Sequence, residues 1–135
     1  MSIDYTYEPD NRIIRTEARG IISATDMVDY VSEIIGRADI ESGFIEIVDI
    51  ENVEDFHFKY SDTEALSSLW PKVAEKGCLC SIIHAPSDLG YGLMRMLQAV
   101  LLAGSDTPGQ GFEVVRSREE VLACVTRTRA QYSAP

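Results

Sequence analysis

Phe44-Ile45-Glu46-Ile47-Val48-Asp49-Ile50 is a short, mostly apolar and β-branched run, bounded by Ser42-Gly43 on one side and by an acidic stretch on the other. A run of that kind reads as a central strand covered on both faces, as in a parallel sheet wrapped by helices. Cys78-Leu79-Cys80-Ser81-Ile82-Ile83 repeats the pattern, and Phe112-Glu113-Val114-Val115 supplies a third such strand. The stretches between them have helical spacing. Ser61-Asp62-Thr63-Glu64 sets a hydroxyl three residues before a carboxylate, which predicts a capped helix start at Ser61; Ala65, Leu66, Leu69, Trp70 and Val73 follow as its apolar side, and Gly77 stops it. Pro71 removes a backbone donor, predicting a kink or break over 67–70.

Ser87 caps the next predicted helix, with Asp88 in its positive first turn; Leu89, Leu93, Met96, Leu97, Val100 and Leu101 form the core-facing stripe, and Gly104 is the stop. Met94 and Leu102 lie eight apart and off that stripe, so a second copy of the chain is expected to cover them in a homodimer. A flexible loop, 105–111, leads to the third strand. Ser117-Arg118-Glu119-Glu120 then opens a last helix with Val121, Leu122 and Val125 facing inward. Toward the N-terminus, Ser23-Ala24-Thr25-Asp26 caps a first helix whose Met27, Val31, Ile34 and Ile35 share one face and which ends over 36–39. Ahead of it Ile3 to Glu8 alternates, Pro9-Asp10-Asn11 turns, and an extended stretch runs from Arg12 toward Ile22. The whole is an α/β layered fold: an N-terminal hairpin, then alternating helices and strands giving a mostly parallel five-stranded sheet with four helices. Residues 1–128 form a single domain, and 129–135 a frayed tail.

The 135 residues carry 12 Lys or Arg against 22 Asp or Glu, a net charge of −10, and 45% are hydrophobic. A chain of this size buries a core without disulfides or metal. Its negative charge opposes nucleic acid and anionic membranes alike. No apolar run reaches the ~20 residues of a membrane span, and the N-terminal stretch lacks leader features, so no membrane insertion and a cytoplasmic location are expected. Cys78, Cys80 and Cys124 form no CxxC pattern; they read as reduced core thiols, with Cys78 and Cys80 turned to the same side of a strand. Neither metal nor cofactor is expected.

In such a sheet ligands gather where the parallel strands end. Asp49 to Tyr60, His84 to Asp88 and Arg116 to Arg118 are expected there. Residues 41–64 hold eight acids against Lys59 alone, which predicts one strongly negative end suited to a cationic partner. Glu51, Glu54, Asp55, Phe56, His57, Phe58 and Tyr60 are its candidate partner-binding residues, the aromatics being either satellite core or interface. Ser61 is a candidate phosphorylation switch, or simply a cap. His84, Ser87, Asp88, Tyr91 and Arg95 form an alternative small-molecule or lipid-like ligand site. The nucleophile elbow Gly-x-Ser-x-Gly and the phosphate-loop motif are both missing from the sequence, and no catalytic residue is assigned.

Phe44 to Val53 resembles the central strand of the STAS domain of anti-sigma-factor antagonists. His84-Ala85-Pro86-Ser87-Asp88-Leu89-Gly90-Tyr91-Gly92-Leu93-Met94-Arg95-Met96 resembles a stretch of small, uncharacterised bacterial STAS/SEC14-like proteins with a SpoIIAA-like fold. The resemblance implies that fold over nearly the whole chain. In the antagonists an Asp-Ser-Ser-Gly segment carries the phosphorylated serine; Tyr60-Ser61-Asp62-Thr63 stands there, keeping one hydroxyl and losing the second serine and the glycine. The expectation is a non-enzymatic regulatory domain that binds a protein.

Overall fold

The structure, a computed structural model, describes residues 2–103 and 111–133, excepting the side chain of residue 133. Strands β1 (Ile3–Glu8), β2 (Ile13–Ser23), β3 (Phe44–His57), β4 (Cys78–His84) and β5 (Gly111–Val115) lie side by side in chain order. β1 and β2 form the antiparallel hairpin, and every later pairing is parallel. Helices α1 (Ala24–Gly36), α2 (Thr63–Lys76) and α3 (Asp88–Ala103) cover one face, and α4 (Arg118–Ser133) lies on the other. Residues 129–133 therefore stand within a helix, and an Arg129 guanidinium donates to the Asn11 carbonyl. Gly104 and the 105–110 part of the expected loop lie outside the described residues; Gly111 opens β5. No helix among the described residues is long and apolar enough to cross a membrane.

Ile14, Phe44, Ile50, Ile83, Phe112 and Val114 point to the three-helix side, and Ile45, Cys80, Ile82 and Val115 to α4. α4 packs against β4 and β5, leaving the same face of β1 and β2 uncovered, where Asp4, Thr6, Arg15 and Glu17 stand. The β3–β4 register skips at Phe44/Ile45, so Cys78 pairs with Phe44 and Cys80 with Ile45. This bulge turns Cys78 to the three-helix side and Cys80 to the α4 side, against the shared side expected from simple alternation. All three thiols are free and buried, and burial pushes Cys80 up to about 12.

Ser23 and Asp26 cap α1 reciprocally, at 3.1 and 2.9 Å, as expected. The start of α2 differs. Tyr60–Asp62 form a 3-10 turn in which the Asp62 carboxylate accepts from Lys59 N (2.7 Å) and Thr63 Oγ1 donates to Tyr60 O (2.6 Å), leaving Ser61 exposed and outside the cap. Pro71 does not break α2, which runs from Thr63 to Lys76 with Pro71 on its exposed side. In α3 the buried line is Gly90, Met94, Leu97 and Leu101, rotated from the expected stripe; Leu89 is 60% and Met96 40% exposed. Gly90 sets that rotation, since a Cβ there would stand 3.3 Å from Ile50 Cδ1, so the helix start rests directly on β3. Met94, 4% exposed, is thus a core residue, and the second apolar side assigned to Met94 with Leu102 reduces to Leu102. In α4, Val121, Cys124 and Thr128 are buried, while Leu122 is turned out.

Candidate functional site

Parallel register brings Glu17, Asp49, His84 and Val115 into one row across β2 to β5. His84 is buried, and its Nδ1 lies 3.1 Å from Asp49 Oδ1, which also accepts from Glu51 N at 2.9 Å. Arg118, the first residue of α4, reaches back over this row, 3.1 Å from Glu51 Oε2 and 3.9 Å from Asp49 Oδ2. Asp49, Glu51 and His84 can each offer one metal-ligand atom, all within 4.8 Å of one another. The guanidinium on the same two carboxylates already supplies positive charge there. From this cluster a groove of about 570 Å³ runs across the uncovered sheet face, over Ile47, Thr6 and Arg15, with Val121 and Leu122 of α4 as its wall.

Neither a protein-family model nor a curated protein matches the chain. A crystal structure of an uncharacterised protein of the DUF3478 family from Shewanella loihica PV-4, described as having a SpoIIAA-like fold, superposes with a TM-score of 0.53 at 15% identity, covering 91% of each chain. The fold is SpoIIAA-like. The SpoIIAA-like frame agrees with the α/β architecture read from the sequence: a five-stranded mixed sheet with only β1–β2 antiparallel, and four helices.

On this SpoIIAA-like sheet β3 extends to His57, so the acidic segment read as a loop is largely strand. Glu51, Glu54 and Asp55 are exposed along it, with Asp55 Oδ2 3.0 Å from His57 Nε2. Phe56 and Phe58 meet edge to face at 6.0 Å and Phe56 joins the core, whereas Tyr60 is 74% exposed. The acids of 41–64 do not share one end. Glu41 precedes β3 at its opposite end, Glu46 turns into the three-helix side, and Asp49 and Glu51 are paired with Arg118.

The alternative ligand set does not converge in the SpoIIAA-like frame. Ser87 Oγ caps α3 by accepting from Gly90 N at 3.0 Å, and His84 faces Asp49 on the α4 side. Arg116 lies over the Tyr91 ring at 5.1 Å, 2.6 Å from Asp88 Oδ1, filling the space between them; Arg95 is exposed on α3. Sequence reasoning placed Arg116 and Arg118 at the strand ends without assigning them partners, because both reach acids distant in sequence.

It also missed a part-buried polar chain against the core. Tyr30 of α1 donates to Glu46 Oε2, and Tyr30 OH lies 2.6 Å from Thr16 Oγ1. An acid set between Ile45 and Ile47 in a mostly apolar strand was the available signal, since a carboxyl turned toward a core needs partners. Burial raises the Glu46 carboxyl above its ordinary value of 4.5, against the opposing hydrogen bonds from Tyr30 and Ser81. The folded state therefore holds this proton more tightly than the unfolded one. The stability it confers is complete below 4.5 and drains as pH rises through the raised value. Glu46→Gln, with no proton to lose, is expected to gain in urea midpoint relative to wild type between pH 4 and 7. A difference that is flat across that range would contradict this assignment.

Proposed function

We propose that the chain is a non-enzymatic protein-interaction module whose partner docks along the C-terminal half of β3. The observation that supports this is the overhang of that strand. Pairing with β4 ends at Asp49↔His84, yet β3 continues from Ile50 to His57 paired to β2 alone among the described residues. Such an edge offers unpaired backbone groups to an added extended segment. Glu51, Glu54 and Asp55 are exposed along it, and Ile21 of the paired strand is 51% exposed, with Tyr60 close by in sequence. Acids around a small apolar surface suit a strand-forming segment rich in Lys or Arg. Ser61 sits exposed in the adjoining turn, and phosphate there would add to the charge of Asp62 and Glu64, strengthening attraction for a basic partner.

The test is affinity capture from the native cell lysate with wild type and with the triple variant Glu51→Lys, Glu54→Lys, Asp55→Lys, at low and high salt. A specific partner should bind wild type, fall about tenfold for the variant, and weaken with salt. Equal recovery on both baits would remove the edge as the docking surface. Homodimerisation through α3 would have to use Leu89, Met96 and Leu102, the large apolar side chains that helix leaves exposed.

A further inference from the structure

Protein interiors leave few voids larger than a water molecule. Between the sheet and α1 to α3, however, lies a cavity of about 120 Å³, lined almost wholly by apolar side chains that include Val48, Trp70, Met94, Leu97 and Phe112. Apolar cavities near that size, about 150 Å³, stay dry and accept benzene. The polar groups on its wall include the Thr16–Tyr30–Glu46 chain, whose members bond to one another. Trp70 is different. The residue is 6% exposed, and its indole Nε1–H is buried without a hydrogen-bond partner, the one such side-chain atom among the described residues. A buried donor left unpaired is costly, so an acceptor that reaches it gains more than one at the surface would.

We propose that this cavity is a binding site for a small, neutral, largely apolar ring compound carrying one hydrogen-bond acceptor, which the Trp70 N–H reads. Ring size follows from the volume. Neutrality follows from the lining, which contains no Arg, Lys or His to balance an anion. A cation would require Glu46 to ionise, which burial of its carboxyl opposes. The cavity shares Ile50 and Phe56 with the β3 overhang, while its lining residues Met94 and Leu97 are core positions rather than surface ones.

Trp70 is the sole tryptophan, so ¹⁵N-labelled protein gives one indole N–H resonance. Titration with cyclohexanone should move that resonance downfield and saturably, while methylenecyclohexane, of equal shape without the oxygen, should saturate without the downfield shift. Trp70→Phe, followed through the backbone amides of Ile50 and Leu97, should weaken cyclohexanone about fivefold more than methylenecyclohexane. Val48→Phe, which fills the space, should abolish binding of both. No saturable change with either probe in folded wild-type protein would overturn the proposal. So would equal binding by a folded Val48→Phe variant, since the probes would then sit elsewhere.

Discussion

Gly77→Ala is expected to cost about 3 kcal/mol and to lower the thermal midpoint by about 10 °C. Gly77 ends α2 with φ +106°, its N–H returning to the carbonyls of Val73 and Ala74. A side chain in that left-handed conformation costs roughly 1–2 kcal/mol by itself. A Cβ at this position would also lie 2.7 Å from Ser42 Cα, closer than non-bonded atoms come. The Ser42 backbone cannot simply step aside, because Gly43 N donates to Gly77 O at 2.8 Å and the next residue begins β3. The strain would therefore pass into the central strand. Gly92 is the control. Nothing lies within 4 Å of a Cβ built there, so Gly92→Ala in α3 should raise stability by up to ~1 kcal/mol. Urea unfolding of both variants reads the contrast, and equal midpoints would contradict the close approach of Gly77 to Ser42.

Met94→Glu is expected to lose 4 kcal/mol or more, roughly the scale of an unpaired buried charge, and so most of the stability of a domain this size. Met94 sits in the principal core with Leu97, Leu101 and Trp70, where no cation is available. Leu102→Glu, at a position 41% exposed, should change monomer stability by less than about 0.5 kcal/mol. The pair decides which side of α3 faces the sheet. If Leu102→Glu proved the more damaging, the helix would have to be turned, and sedimentation of that variant at high micromolar concentration would show whether a second copy had covered it.

The sequence spells out β3, β4 and β5 because their β-branched, apolar runs are too short for helices and covered on both faces. The capping box at Ser23 and Asp26 is equally local and equally legible. What escaped depends on partners far along the chain. The rotation of α3 follows from Gly90 resting on Ile50, and Ser61 loses its capping role to a 3-10 turn closed by Lys59, Asp62 and Thr63. The length of β3 was hidden because acids at its exposed edge have the composition of a loop. Arg116 and Arg118 acquire partners only when α4 is brought against β3 and the start of α3. Glu46 was visible as an acid within the strand, but the tyrosine that donates to it comes from α1.

The extra residue in β4 has a chemical outcome of its own. With Cys78 and Cys80 on opposite sides of a single polypeptide layer, the backbone stands between two sulfurs whose residues are separated by Leu79 alone. Reagents that grip neighbouring thiols, such as trivalent arsenicals, find no bidentate hold in the native protein, and a vicinal bridge would require this strand to leave the sheet.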